Sequence, residues 1–466
     1  MRKTVLGLVV GLFGLTPAFA PTFASSETLT DALIAAYRAS NLLDQNQAVL
    51  RAADEDVATA VAALRPVLSY SLNASLSDGY NPNPSFFSPQ IGSSFSDSLT
   101  LTANMTLFDF GAGDLGVEGT KEIVLATQQS LINVEQQVLF NAVTAYVNMQ
   151  LQSEIVAMQD SNVRLVSQDL RATQDRFDVG EVTRTDVALA QAQVASASAQ
   201  LAASQGDYNV AREQFKVAIG HYPGKLAPLP KVPLKVKNLD EARAIAQRTH
   251  PAILQAQHQA RAADFQVLGA QAVMMPRISG SAQLVQNGTQ TGLGTSRAAL
   301  GISLDQTLYA GGRLSSQYRK ALAGKDQARA ALHQNGLIIA SNVGQAWSNI
   351  LVANASIQAG DEQVRAAQAA YDGVKEEADL GSRTTLDVLD AEQKLLSARA
   401  SRLQAAANLY NGQYQLLATM GLLTAEHLHL GIPTYDVSAY YNAVKNAPTS
   451  SPQGEKLDRI LKTIGN

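Results

Sequence analysis

Four landmarks recur in the same order along the 466-residue chain, so it must fold as two copies of one unit. Thr30-Asp31-Ala32 and Asp240-Glu241-Ala242 each open a helical pattern, 210 residues apart, and Pro66 and Pro276 keep that separation. Leu107-Phe108-Asp109-Phe110-Gly111 then matches Leu308-Tyr309-Ala310-Gly311-Gly312 at a separation of 201. Gly180-Glu181-Val182-Thr183-Arg184-Thr185-Asp186-Val187 matches Gly381-Ser382-Arg383-Thr384-Thr385-Leu386-Asp387-Val388, again at 201, so one segment of the second copy is 9 residues shorter. Between the copies, residues 220–238 carry prolines 223, 228, 230 and 233, which excludes a helix or a central strand. The division is therefore a first repeat over 25–219, a connection over 220–238, a second repeat over 239–430 and a tail over 431–466.

Each repeat holds two stretches with a period of two. Leu68, Tyr70, Leu72, Ala74 and Leu76 alternate with Ser69, Ser71, Asn73 and Ser75; Leu99, Leu101, Ala103, Met105 and Leu107 alternate with Thr100, Thr102, Asn104 and Thr106. In the second copy Leu300, Ile302, Leu304 and Leu308 alternate with Gly301, Ser303, Asp305 and Thr307, and Ile278, Ala282 and Leu284 alternate more weakly with Ser279, Ser281 and Gln283. This predicts strands over 66–76, 98–108, 276–286 and 298–309, each with one oily and one wet face. About 9–11 residues is the length of a bilayer-spanning strand, and a face of Ser, Thr, Asn and Gln suits a water-filled lumen. An open sheet edge cannot sit in lipid, and four strands are too few to close a barrel. The chain must pool strands with copies of itself: a dimer gives 8, a trimer 12. Eight leave little interior room, so an open pore favours the trimer.

Helical patterns fill the rest: 30–65, 112–179 and 184–219 in the first copy, 240–275, 313–380 and 384–420 in the second. Residues 112–179 and 313–380 are 68 each, about 100 Å as helix. Two 36-residue helices end to end match that height, as a tube of constant height requires. Helices this long imply coiled-coil-like pairing rather than a compact domain. Residues 188–204 contain 8 alanines in 17, which either lets helices approach closely or reflects helix propensity alone.

Lys+Arg number 36 against 40 Asp+Glu, a net charge of −4. There is no basic excess to neutralise phosphates, so nucleic acid is not an expected partner. Cysteine is absent, which excludes disulfides, thiolate metal sites, a Cys nucleophile and a lipid anchor on Cys. Residues 1–24 read as a secretory signal: Arg2 and Lys3, an apolar run from Val5 to Leu15, and cleavage after Thr22-Phe23-Ala24. No later apolar run is long enough for a spanning helix.

With these motifs in hand, the chain resembles the TolC family, outer-membrane exit ducts of multidrug efflux and type I secretion. The motifs that carry the resemblance are Leu107–Gly111, Leu308-Tyr309-Ala310-Gly311-Gly312-Arg313, and Gly381-Ser382-Arg383-Thr384-Thr385-Leu386-Asp387-Val388-Leu389-Asp390-Ala391, and it runs from about Thr28 to Leu430. It implies a mainly α fold with transmembrane β structure. Long antiparallel helices form a periplasmic tunnel, and four strands per chain build a 12-stranded barrel in a homotrimer, set in outer-membrane lipid. It implies a periplasmic adaptor and an inner-membrane RND or ABC transporter as partners, and no cofactor. It places gate acids at Asp387 and Asp390, a closed-state lock between the repeats at Arg383, Asp186 and Thr185, and adaptor-docking turns at Gly180 and Gly381. The family's hydrogen-bonding Tyr, three residues before the turn glycine, is Ala378 here, so the lock must be weaker or built differently.

Asp387 and Asp390 are spaced i, i+3, on one helix face. Three copies would crowd six carboxylates, which raises some of their pKa values through coupled titration and attracts cations. Thr183-x-x-Asp186 and Thr384-x-x-Asp387 also fit capping boxes, a structural reason for Asp387 that its repeat mate shares. Asp390 faces Leu189 in the first copy and Arg383 faces Val182, so these two break the duplication. Duplicated structure needs both copies, whereas a gate can use one.

A soluble periplasmic coiled-coil adaptor, or a structural protein without a pore, would explain the helices but not four amphipathic strands. An enzyme is disfavoured. The six histidines are scattered, and no nucleophile elbow, phosphate loop or H-E-x-x-H helix is present.

Overall fold

The computed structural model describes residues 26–80, 91–232, 234–289 and 294–448. The expected signal over 1–24 lies outside them. The order of elements is α1 (Leu29–Ala39), α2 (Asn41–Ala62), β1 (Val67–Tyr80), β2 (Ile91–Phe108), α3 (Ala112–Asp178), α4 (Arg184–Ile219), α5 (Leu239–Thr249), α6 (Pro251–Ala272), β3 (Arg277–Thr289), β4 (Thr295–Asp305), α7 (Arg313–Asp379), α8 (Thr385–Thr419) and α9 (Val437–Val444).

The four strands form one antiparallel sheet in the order β1-β2-β3-β4, so β2 joins β3 across the repeats. Register carries the period of two across all four. Tyr70, Leu101, Leu284 and Ala298 lie in one row, and Leu68, Ala103, Ala282 and Leu300 in another. On the opposite face Ser69, Thr102, Gln283 and Ala299 align, as do Ser71, Thr100, Val285 and Arg297. The strand expected over 298–309 ends at Asp305, which pairs with Arg277. Pro276 precedes Arg277 and has no N–H, so the ladder has nothing further to offer Leu308. The other strands run longer than expected at the end away from the helices.

Helices expected as single rods over 30–65 and 240–275 are each broken. Ser40 leaves the helical region (ψ 100°) and its hydroxyl accepts from Leu43 N–H, capping α2. Pro251 starts α6 and holds His250 in extended backbone, since the residue before proline is excluded from the helical region. His250 Nδ1 accepts from Ala252 N–H at 3.1 Å, so that nitrogen must be unprotonated. Burial pushes the imidazole down to about 4. A His whose pKa is lowered on folding stabilises the fold fully above its ordinary pKa near 6.5 and loses that contribution as pH falls toward 4. Acidification through this window should cost up to about 3 kcal/mol per chain. Thermal melting of His250→Asn, which keeps a capping acceptor, should show a flatter pH profile.

α3 and α7 are 67 residues each. α3 packs along α4, α2 and α6, and α7 along α8, α6 and α5. The seams are small and sevenfold. Ala190, Ala197, Ser204 and Ala211 are buried on α4, and Ala391, Ala398, Ala405 and Gly412 on α8, at repeat-matched positions. A seven-residue repeat keeps one seam facing its partner along a left-handed supercoil, and small side chains bring the helices close. The alanine-rich stretch therefore serves approach on one face and propensity on the other.

The largest core lies midway along the rods, where Leu29, Leu33, Leu139, Val143, Tyr146, Phe215, Ile219, Leu416, Leu417 and Met420 meet. Tyr146 Oη lies 2.9 Å from Glu27 O and 2.8 Å from Ala227 O, tying the N-terminal segment and the inter-repeat connection to α3. The described part of the tail packs back on the first repeat. Asp436 caps α9, Tyr440 Oη donates to Glu55 at 2.6 Å, and the Arg65 guanidinium holds the carbonyls of Asn446 and Ala447.

Candidate functional site

α3 and α7 each leave a strand and run about 100 Å before turning at Gly180 and Gly381, so both turns lie at the end of the helical body far from the sheet. The two turns are built alike. Gly180 and Gly381 have φ of 83° and 77°, and a Cβ on either would meet nothing within 4 Å. Glycine is needed there for its left-handed backbone, not for space. Glu181 N–H reaches back to Arg176 O at 2.9 Å, and Ser382 N–H to Glu377 O at 2.9 Å, closing each helix.

The next helix starts on a capping box in both copies. Thr183 N–H and hydroxyl donate to Asp186 at 2.9 and 2.7 Å. Thr384 N–H and hydroxyl donate to Asp387 at 3.0 and 2.8 Å. These bonds hold both carboxyls below the usual carboxylate range, for Asp186 the Thr183 hydroxyl first, for Asp387 the Thr384 backbone N–H first. Within one chain Asp387 is thus lowered by its cap, opposite to the rise expected from crowding in a ring of three chains. Asp390 is exposed one turn further along α8.

The expected lock residues are not brought together within the chain. Arg383 Nε donates to Glu377 at 2.7 Å, inside its own turn. Thr185 is exposed, and Asp186 takes its cross-repeat contact from the Thr385 hydroxyl. The reason is distance along the chain: Glu377 is six residues away on the same turn, whereas Asp186 belongs to the other repeat. The Tyr position held by Ala378 leaves no hydroxyl there.

Cross-repeat contact is made higher up. Lys375 Nζ on α7 lies 3.5 Å from Asp169 Oδ1 on α3, and 3.5 Å from Tyr371 Oη. Tyr371, Ala391 and Leu395 form a small buried cluster with Leu165, Val374 and Val388 around it. Nothing in the sequence pattern sets Asp169, Tyr371 or Lys375 apart. The i, i+4 spacing of Tyr371 and Lys375 is the one local signal. Among the described residues no group of three His, Cys, Asp or Glu is placed to hold a metal ion, and no helix is long and apolar enough to cross a membrane.

The family model "Outer membrane efflux protein" matches residues 35–221 and 243–422. The chain is 33% identical over 427 residues to the outer membrane efflux protein BepC of Brucella suis, covering 91% of each. It is 25% identical over 470 residues to the outer membrane protein TolC of Escherichia coli, covering 95% of this chain and 90% of that one. The outer membrane channel CmeC of Campylobacter jejuni shares the fold with a TM-score of 0.75 at 15% identity over 90% of both chains. A soluble adaptor is thereby set aside. With its amphipathic sheet, paired rods and duplicated tip, the chain belongs to the outer membrane efflux protein family and is a pore-bearing channel of the outer membrane whose helices extend into the periplasm.

Proposed function

We propose that three copies of this chain pool their sheets into a 12-stranded barrel. Their helices would form one tunnel, the exit duct of a tripartite efflux pump or type I secretion system. The observation that carries the trimer is the sheet: β1 and β4 stand at its two ends, and its apolar rows would lie toward lipid. An edge exposed in a bilayer leaves backbone groups unsatisfied, so β4 of one copy must meet β1 of the next. The tip turns at Gly180 and Gly381 would meet a periplasmic adaptor, and an inner-membrane RND or ABC transporter would supply the energy. The work of this chain is conduction.

The gate sits at that tip, and Asp387 and Asp390 ring it. Asp390 is exposed and has Leu189 as its repeat mate, which favours a role that one copy alone performs. In planar bilayers the wild-type trimer should show small, cation-selective openings blocked by a trivalent cation. The Asp387→Asn, Asp390→Asn double variant should lose block by at least about tenfold, because one ionic contact in a narrow ring exceeds the ~1.4 kcal/mol a factor of ten requires. Unchanged selectivity and block would move the gate elsewhere.

A further inference from the structure

Glu392 sits on α8, two turns above the tip and on the side of the helix away from exposed Asp390. It is buried, at 4% exposure, and neither carboxylate oxygen has a hydrogen-bond partner. The groups that face it come from two helices: Asp169 on α3, and Lys375 and Tyr371 on α7. Asp169 Oδ2 is likewise buried without a partner, while its Oδ1 is the atom that meets Lys375. Asp169 and Lys375, with side chains 30% and 40% exposed, thus form a partly solvated ion pair between the repeats, facing a buried Glu392 that bonds to neither.

Charge bookkeeping fixes the consequence. With Glu392 protonated, Asp169 and Lys375 form a neutral pair beside a neutral acid. With Glu392 ionised, the junction carries a net negative charge in a place that burial makes costly. Any opening of the tip that moves α7 and α8 away from α3 admits water here and relieves that cost. We propose that Glu392 is a proton-operated latch: protonated, it lets α7 and α8 seat against α3 and keeps the tip closed; ionised, it releases them. The latch rests on the reading of the tip as the gate.

Burial first, then the Asp169 charge, push Glu392 up to about 7 from its ordinary value of 4.5, against the pull of Lys375. An acid whose pKa is raised by packing stabilises that packing fully below its ordinary value. The contribution is lost as pH rises toward 7. The latch therefore closes in acid and loosens toward neutral pH. Within one chain Asp387 is held below the usual carboxylate range by its cap.

The test uses the full-length trimer in planar bilayers from pH 5 to 8, with hydrogen exchange of residues 165–175 and 385–400 measured in parallel. In the wild type the closed-to-open ratio should fall with pH by up to about tenfold per unit per protomer, the limit for one proton each. Glu392→Gln, an isostere of the neutral acid, should hold the acid-like ratio across the range, and Asp169→Asn should shift the transition acidward. The same wild-type dependence should persist in the Asp387→Asn, Asp390→Asn background. Exchange should be equal in wild type and Glu392→Gln at pH 5 and faster in wild type at pH 8. A Glu392→Gln channel with the wild-type pH profile and exchange overturns the latch. If that variant fails to assemble, an unshifted transition in Asp169→Asn overturns it. Exchange that responds as expected while conductance does not keeps the latch and removes the gate from the tip.

Discussion

Leu101→Arg should abolish assembly of the channel in the outer membrane, whereas Thr102→Arg, one residue along, should assemble normally and conduct cations less well. Leu101 lies in the row Tyr70, Leu101, Leu284, Ala298 near the middle of the sheet, on the apolar face that the proposed barrel turns to lipid. Arg at the bilayer midplane of a barrel costs about 2–4 kcal/mol, and a trimer bears it three times. Thr102 lies on the polar face between Ser69 and Gln283, which the proposed barrel turns to its lumen, where a guanidinium would stay hydrated and only alter the field felt by passing ions. Urea titration of refolding into bilayers, with heat-modifiable migration as the readout of assembly, separates the two. Equal behaviour of the pair would mean that the two faces of the sheet are assigned wrongly.

Gly421→Ala should be far more damaging than Gly381→Ala. Gly421 ends α8 with φ 78°, and a Cβ there would lie 2.7 Å from Thr249 O and 2.8 Å from His250 Cα. Both are backbone atoms, so no rotamer change can make room. The same junction is tied by Thr249 Oγ1 donating to Met420 O at 2.7 Å, directly over the main core. The left-handed backbone costs an alanine about 1–2 kcal/mol, and overpacking against backbone adds about 1–3 kcal/mol. Gly381→Ala is the control. Its φ is nearly the same at 77°, but nothing lies within 4 Å of the added methyl, so only the backbone cost of about 1–2 kcal/mol applies. Thermal melting of the purified protein at neutral pH should rank wild type above Gly381→Ala, and Gly381→Ala above Gly421→Ala. Equal melting of the two variants would mean that the α8 end does not dock on the α5–α6 junction.

Much of the architecture was legible because its signals are local. Period-two alternation marked the strands, and helix pattern of matched length marked the rods. The glycine turns followed from Gly180 and Gly381, and the capping boxes from Thr183 and Thr384. Two local signals pointed further than the reading of single rods over 30–65 and 240–275: Ser40-Asn41 and His250-Pro251 are a helix cap and a helix breaker. The short end of β4 also follows from Pro276, but only once its partner strand is known.

The tip divides the same way. That Asp387 caps a helix could be read from three residues of spacing. That Arg383 turns back to Glu377 rather than across to Asp186 could not, because both acids are plausible partners and only the folded turn sets which is near. Glu392 was the hardest case. In sequence it is one more charge beside Asp390 on a polar helix. In the fold it points the other way, into the junction with α3 and α7.

By itself the sequence determined the duplication, the two-faced strands, the rod lengths and the turns, since each depends on contacts within a few residues or on simple period. Only the tertiary structure decided that β2 joins β3 across the repeats, that small residues every seventh position form the rod seams, and that Glu392 is buried opposite Asp169 and Lys375. Those facts depend on which surfaces meet. A helical residue's burial is set by neighbours hundreds of positions away, whose approach leaves no periodic trace in the residue's own segment.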